Sequence, residues 1–429
     1  MRQILFLIVS VIFISTVAQA AKTEAYVLPN GLKIIVREDH RAPVVLSSIW
    51  YKVGASYESN GETGISHMLE HMMFKGTTQF GPGAFNQMVG GSGGDNNAIT
   101  SEDYTVYFET TSPKQLDNIF LFESDRMQNL LLDDQSFQME RKVVMEERRM
   151  RVDDAPQSIT YERFRATAFV NSPYHHPVIG WMTDIEHYNI DDLRRWYHTW
   201  YTPNNAVIVI IGDVNPKEVL ALGRKYFGKI KSRPVPTPKP RNEVSALGEK
   251  EIQTHLHAQL PWLIMGYQVP TSSYALMLCA DILSGGDSSR IATDLVRHNP
   301  VAVEAQAEYS RYNLHQTLFL LAGTPTQKTS VLTLKKALFN QIHRLQTTLV
   351  TADELNRVKA QLIANKVYQN DSLMKQVFDL GVPEMMGLSW RESDQFAEKI
   401  QWVTPQAIQD AAKKYFVKEN LTVAELVPK

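Results

Sequence analysis

The stretch DDLRRWYHTWYTPNNAVIVIIG (Asp191 to Gly212) decides how the chain is divided, because PQAIQDAAKKYFVKENLTVAEL (Pro405 to Leu426) repeats its layout at the other end. Each reads as an amphipathic helix, a short polar break (Tyr201 to Asn205; Phe416 to Asn420) and an apolar strand (Ala206 to Ile211; Leu421 to Leu426). Two halves that end alike point to an internal duplication. Between them, Pro234, Pro236, Pro238 and Pro240 stand among charged and small residues in Lys231 to Glu249, which reads as an extended linker. The expected domains are therefore 21–232 and 248–429, joined by 233–247.

Earlier in the first half, Ala25 to Leu28 and Leu32 to Arg37 flank Pro29-Asn30-Gly31, whose Asn-Gly pair signals a hairpin. Val44 to Val53 and Tyr104 to Thr110 are β-rich, whereas Gly64 to Phe74, Gln115 to Met127 and Gln135 to Arg151 carry helical patterns. Strands mixed with helices of these lengths predict an α+β fold used twice. The run Gly90 to Gly94 is read as a turn before a strand, since no Lys-Ser/Thr follows to make a phosphate cradle.

Composition supports a folded protein and narrows its partners. Of 429 residues, 44% are hydrophobic and 21% charged, and the net charge of −2 gives no nucleic-acid footprint and no polybasic membrane anchor. Cys279 is the single cysteine, which excludes an intramolecular disulfide. Arg2, the apolar run Ile4 to Val17 and Ala18-Gln19-Ala20 read as a signal peptide over 1–20 cleaved after Ala20. The mature protein is expected to be secreted or periplasmic and without a stable membrane span.

The chemistry is carried by His67-Met68-Leu69-Glu70-His71. Residues four apart on a helix lie one above the other, so His67 and His71 can reach one ion, with Glu70 beside them as a candidate general base. The order His-x-x-Glu-His is the inverted zinc-protease motif. A chance match is expected in roughly two of a hundred such chains, so the motif needs a third ligand to be decisive. The helix after Asp134 offers Glu140, Glu146 and Glu147, with Glu140 and Glu147 two turns apart beside Val143 and Val144. Glu146, Arg148 and Arg149 are read as solvated, and His175 and His176 as loop-shaping residues without helical spacing.

These residues resemble the pitrilysin-like or insulysin-like inverzincins, the family that includes mitochondrial processing peptidase, over essentially the whole mature chain. Gly64 to Thr77 resembles the family's metal helix and its exit, and Glu147 stands where the family places its third zinc ligand. The resemblance implies one Zn2+ per chain held by His67, His71 and Glu147, with Glu140 supporting the site. Asn97 to Thr100 followed by Asp103 to Tyr107 resembles the family's edge strand, which makes Asn97 and Ala98 substrate-binding candidates by strand addition. Leu283 to Arg290 resembles the opening of the second domain's matching helix, which carries no second metal motif. Two homologous α/β-sandwich-like domains forming a clamshell, closing on peptides or unfolded segments, are the implied architecture.

One position departs from the family pattern. Arg297 fits the first member of the arginine and tyrosine pair that closes over substrate, but Glu304 stands seven positions on. Either Tyr309 or Tyr312 takes that place, or a partner supplies it, as a homodimer or a heterodimer with a family subunit lacking the metal motif. The function expected is a zinc-dependent endopeptidase with Glu70 as general base. The alternatives are a non-catalytic structural or binding subunit of the same family and a chaperone-like module that holds unfolded chains.

Overall fold

The computed structural model describes residues 22–244, 248–298 and 300–429. The expected signal peptide and its cleavage point lie outside the described residues, as do positions 245–247 of the linker. The first sheet contains β1 (Thr23–Val27), β2 (Lys33–Glu38), β3 (Val45–Tyr51), β4 (Asp95–Thr100), β5 (Thr105–Thr111) and β6 (Ala206–Gly212), in the order β1-β2-β6-β3-β5-β4. The second contains β7 (Lys250–Leu256), β8 (Trp262–Val269), β9 (Ala302–Glu308), β10 (Thr317–Pro325) and β11 (Leu421–Pro428), in the order β7-β11-β8-β10-β9. Strand β6 lies parallel to β2 and antiparallel to β3, and β11 lies parallel to β7 and antiparallel to β8. The two halves therefore share five strands in one order, with β1 added to the first by the Asn-Gly hairpin, where Gly31 takes φ +86°.

Helices α1 (Ile65–Met72), α2 (Ala84–Gly91), α3 (Leu116–Asn129), α4 (Asp134–Arg148), α5 (Pro156–Ala168), α6 (Met182–His187), α7 (Ile190–Trp200) and α8 (Pro216–Tyr226) belong to the first half. The second half carries α9 (Tyr274–Ser284), α10 (Val331–Thr347), α11 (Ala352–Gln369), α12 (Leu373–Met385), α13 (Phe396–Gln401) and α14 (Pro405–Tyr415). The glycine run read as a turn is partly helical: Gly90 and Gly91 close α2 before the chain turns into β4. Glycine is a poor helix former, but it is tolerated in a last turn, where the ladder is ending anyway.

Each sheet has one face packed on its own helices, giving one core around Ile34, Ile49, Leu69 and Ile208 and another around Met265, Leu283, Phe319 and Leu338. The opposite faces are covered by exchange. Helix α12 lies on β6 and β3 of the first sheet, while α5 lies on β11, β7 and β8 of the second. Covered on both faces, β3 and β6 are buried at every position and mostly apolar; Ser48 of β3 is accommodated because its hydroxyl donates to the Val209 carbonyl and accepts from Trp50 Nε1. Two glycines permit the close fits. A Cβ on Gly381 of α12 would lie 2.4 Å from the Trp50 ring, and one on Gly266 of β8 would lie 2.6 Å from the Phe164 ring.

Candidate metal centre and active site

Helix α1 buries Ile65, Met68, Leu69 and Met72, an i, i+3, i+4, i+7 stripe, against the first core. That leaves His67, Glu70 and His71 on its other face. The helix begins at Gly64, whose φ of +84° and close approach to Gly180 admit no side chain; a Cβ there would lie 2.4 Å from the Ile179 carbonyl oxygen. The buried Glu58 carboxylate accepts hydrogen bonds from the Gly64 and Ser66 amides at 2.7 and 2.9 Å, so two N-terminal donors that the helix leaves open are satisfied. Helix α4 is capped by Asp133, which accepts from the Ser136 amide, and buries Phe137, Glu140, Val144 and Arg148. Val144 thus shares the inward face, whereas Val143 points to solvent.

The two helices bring His67, His71 and Glu147 together. One ligand atom from each lies within 4.8 Å of the others, the only such three-residue group of His, Cys, Asp or Glu among the described residues. Glu147 Oε2 is 3.1 Å from His71 Nε2 and 3.8 Å from His67 Nε2. Tetrahedral bonds of about 2.0–2.1 Å place ligand atoms roughly 3.3 Å apart, so the set fits a Zn2+ ion with little adjustment. Two imidazoles and one carboxylate leave a fourth position open, the pattern of catalytic rather than structural zinc.

The surroundings set the proton states. Burial pulls the His67 imidazole down to about 3, with the neighbouring His71 and Arg151 charges adding to it, so its nitrogens are free of excess protons. Burial lowers His71 as well, but the hydrogen bond to Glu140 and the Glu147 charge outweigh it and raise the group overall. His71 Nδ1–H donates to Glu140 Oε1 at 2.9 Å, which turns Nε2 toward the ligand set. Lys75 pairs with the other Glu140 oxygen, and together these contacts overcome burial and hold that carboxyl below its ordinary range. Glu147 Oε1 is held by Arg151 at 2.8 Å.

Glu70 projects beside the ligand set. Its carboxyl is raised, chiefly by burial, against the opposing Thr100 hydroxyl, which donates to Oε2 at 2.5 Å. A carboxyl lifted toward neutrality is better matched to taking and returning a proton than an exposed one. Thr100 and Lys75 were not among the residues picked out by sequence. Lys75 stands four positions after His71 and could have been found from helical spacing; Thr100 meets Glu70 through strand pairing, which spacing does not reveal.

Asn97 and Ala98 lie on β4 at the edge of the first sheet, with Asn97 Oδ1 accepting from the Ala98 amide at 2.8 Å. Arg297 is exposed on the turn Ala292–His298 and is not among the residues that bound the cavity at the metal site. Glu304 lies on β9 and accepts from the Thr324 hydroxyl. Tyr309 donates to the Pro270 carbonyl and the Tyr312 hydroxyl accepts from Arg311, so both are engaged within the second half. His176 meets Asn60 and His175 meets the Ser172 carbonyl, in keeping with loop-shaping roles. A cavity of about 700 Å³ opens beside His67 and Glu147 and runs between α5 and the second sheet.

Residues 33–181, which contain the ligand set, match the model for Insulinase (Peptidase family M16), and residues 187–362 match that for the Peptidase M16 inactive domain. Zinc protease PqqE of Helicobacter pylori is 32% identical over 397 residues, covering 85% of this chain and 89% of that one. A probable mitochondrial-processing peptidase subunit beta of Arabidopsis thaliana is 24% identical over 426 residues, covering 96% and 80%. The crystal structure of a protease from Helicobacter pylori superposes with a TM-score of 0.90 at 29% identity, covering 95% of this chain and 100% of that one. The chain belongs to the M16 peptidase family.

Proposed function

We propose that this chain is a zinc-dependent endopeptidase that hydrolyses peptides or unfolded segments, with His67, His71 and Glu147 as ligands and Glu70 as general base. The observation that carries this reading is the convergence of those three ligand atoms with Glu70 at their side. A bound Zn2+ ion supplies a water of lowered pKa and polarises the scissile carbonyl. Glu70, with the Thr100 hydroxyl donating to its Oε2, is placed to act as the general base, a carboxyl that would hold and hand on a proton beside the ligand set. Glu140 fixes the His71 ring through Nδ1, and the edge strand carrying Asn97 and Ala98 orders the substrate backbone by strand pairing.

The proposal includes the division into 21–232 and 248–429 around the linker 233–247, and secretion to a periplasmic or extracellular site after cleavage at Ala20. No helix among the described residues is long and apolar enough to cross a membrane. Arg297 is proposed to bind substrate in a homodimer or in a pair with a family subunit lacking the metal motif; it is exposed on Ala292–His298 and does not line the cavity beside His67 and Glu147. Glu304, in the place of the family tyrosine, favours one second reading: a non-catalytic subunit that retains the metal site.

The test is cleavage of a mixed library of quenched peptides by the purified mature chain, with and without a chelator and a partner subunit. Chelator-sensitive cleavage by the chain alone supports a self-sufficient peptidase, and cleavage only with the partner supports a shared site. No cleavage in either case, with zinc bound, sinks the enzyme reading and leaves the binding subunit.

A further inference from the structure

The Thr100 hydroxyl donates to Glu70, and Thr100 stands where a strand is least secure. Its pairing with Thr105 is the last of β4, and β4 is the edge of its sheet, so the strand end has a neighbour on one side only. The turn that follows, Ser101 to Tyr104, is held by the first half through the Ala55 and Ser56 amides, which donate to the Ser101 and Glu102 carbonyls at 3.1 and 2.7 Å. A second hold on it comes from the other half of the chain, through Asp103.

Asp103 is 3% exposed and gathers three donors. Its Oδ1 accepts from the Ser56 hydroxyl at 2.8 Å, and its Oδ2 accepts from the Tyr174 hydroxyl and, at 3.1 Å, from the Leu314 amide. The Tyr174 oxygen in turn accepts from the Leu314 and His315 amides at 3.0 and 3.2 Å. Leu314 and His315 lie in the loop between β9 and β10, so two consecutive backbone donors of the second half close on a carboxylate and a phenol of the first. Burial, with the Glu102 charge adding to it, raises the Asp103 carboxyl against the opposing bonds from Tyr174, Leu314 and Ser56. A carboxylate this deeply buried is tolerated only with its donors in place, so its position is tied to theirs. Tyr174 is fixed as well: its ring packs in a cluster with Phe169 and with Ile264 and Leu318 of the second sheet. Arg165 of α5 donates to the Tyr174 carbonyl at 3.0 Å and pairs with Glu102 of the turn at 2.5 Å.

We infer that Asp103 and Tyr174 are positioning residues through which the β9–β10 loop of the second half holds the end of β4, and with it Thr100 and Glu70, in the geometry that turnover needs. The inference rests on the peptidase reading and gives the half without metal ligands a part in its chemistry. Asp103 follows Thr100 by three residues, and its hydrogen bonds go to Ser56, Tyr174 and Leu314 rather than to the ligand set. Upstream, Asn97 and Ala98 keep their own pairing with Phe108 and Tyr107. Loosening the hold should therefore reach the base before it reaches the metal or the register of a bound strand.

The experiment measures peptide cleavage and zinc content in Asp103→Ala and Tyr174→Phe; the second removes one oxygen and serves if the first does not fold. Each should lower kcat by roughly 10- to 100-fold and leave KM within about threefold of wild type, with zinc content unchanged. Asp103→Asn keeps an oxygen for Tyr174 and Leu314 and turns its amide to the Ser56 hydroxyl, so it should recover most of what alanine loses. The deciding measurement pairs each change with Thr100→Val: residues that act through Thr100 should lower kcat by about twofold or less once its hydroxyl is gone, because groups working as a unit do not add. Amide hydrogen exchange of the zinc-loaded protein needs no turnover, and should quicken in both variants at Thr100 to Tyr104 and at Leu314 and His315 while α4 stays as in wild type. Wild-type kcat in the folded variants, asparagine no better than alanine, or losses that multiply with that of Thr100→Val overturn the inference. If wild type cuts nothing, exchange decides: quickening at both places keeps the hold between the halves and drops the peptidase reading, and unchanged exchange overturns the hold as well.

Discussion

Removing the carboxylate at position 140 should weaken zinc binding although, in the proposed site, Glu140 never touches the ion. The side chain is 10% exposed, accepts from His71 Nδ1 at 2.9 Å and pairs with Lys75. A hydrogen bond to a charged group contributes roughly 1.5–3 kcal/mol, and each 1.4 kcal/mol is a factor of ten. Loss of partners behind metal-binding histidines typically weakens binding about 10- to 100-fold. Glu140→Ala should therefore raise the Kd for zinc by roughly 10- to 100-fold. Lys75 adds to the effect in the same direction, because its unpaired ammonium would then face a cation site. Glu140→Gln keeps an oxygen for Nδ1–H but loses the charge, so it should fall between wild type and alanine. Competition against a chromophoric chelator measures the series, with thermal unfolding of the zinc-free proteins as control. An alanine variant within about twofold of wild type, or a glutamine variant weaker than alanine, would refute the argument.

Four further outcomes follow from the same geometry. Glu70→Gln should abolish turnover and retain zinc, measured by metal analysis and peptide cleavage together, whereas His67→Ala should lose both. Zinc affinity should fall with decreasing pH by one proton rather than two: His67 is already unprotonated, held down to about 3, while the raised His71 must shed a proton to ligate. Below the raised His71 pKa the plot of log Kd against pH should have a slope near minus one, and a slope of minus two in chelator competition would contradict it. Zinc at about 1,000 times its Kd should stabilise the fold by roughly 4 kcal/mol, seen as a chelator-dependent drop in unfolding temperature. Gly266→Val should destabilise by about 1–3 kcal/mol or more, because its Cβ would lie 2.6 Å from the Phe164 ring; unchanged denaturant unfolding would show that α5 is not tightly seated.

What could be read in the sequence was whatever depends on local periodicity. The His67 and His71 pair follows from helical spacing alone, and the duplicated helix and strand at Asp191 to Gly212 and Pro405 to Leu426 became α7–β6 and α14–β11 in equivalent places of the two sheets. Glu147 could be placed only through the family resemblance, since nothing within one helix says which other helix will face it. Thr100 was illegible for a similar reason: its partner Glu70 is 30 residues away and they meet because β4 pairs with β5 over the helix. The covering of each sheet by the other half's helix was illegible too. An amphipathic helix shows that it has an apolar face, but α5 and α12 carry no mark of which sheet that face will meet.

That exchange bears on the metal site itself. Helix α4, which carries Glu140 and Glu147, runs into the π-helical turn Arg149–Asp153 and from there into α5, so the proposed third ligand and the cover of the second sheet lie on one nearly continuous piece of chain. Arg148 ties this junction down, donating to Glu162 of α5 and to the carbonyl of Gly180, the residue that abuts Gly64 at the start of α1. The histidines enter from α1 and the glutamate from α4, and the same buried guanidinium stands between the anchor of one helix and the continuation of the other. A half of this protein without its partner half would leave Phe164 and α5 unsupported, and Glu147 is only nine residues from the start of that helix. The second half, although it carries none of the proposed ligands, packs its sheet against the helix that follows the proposed third one.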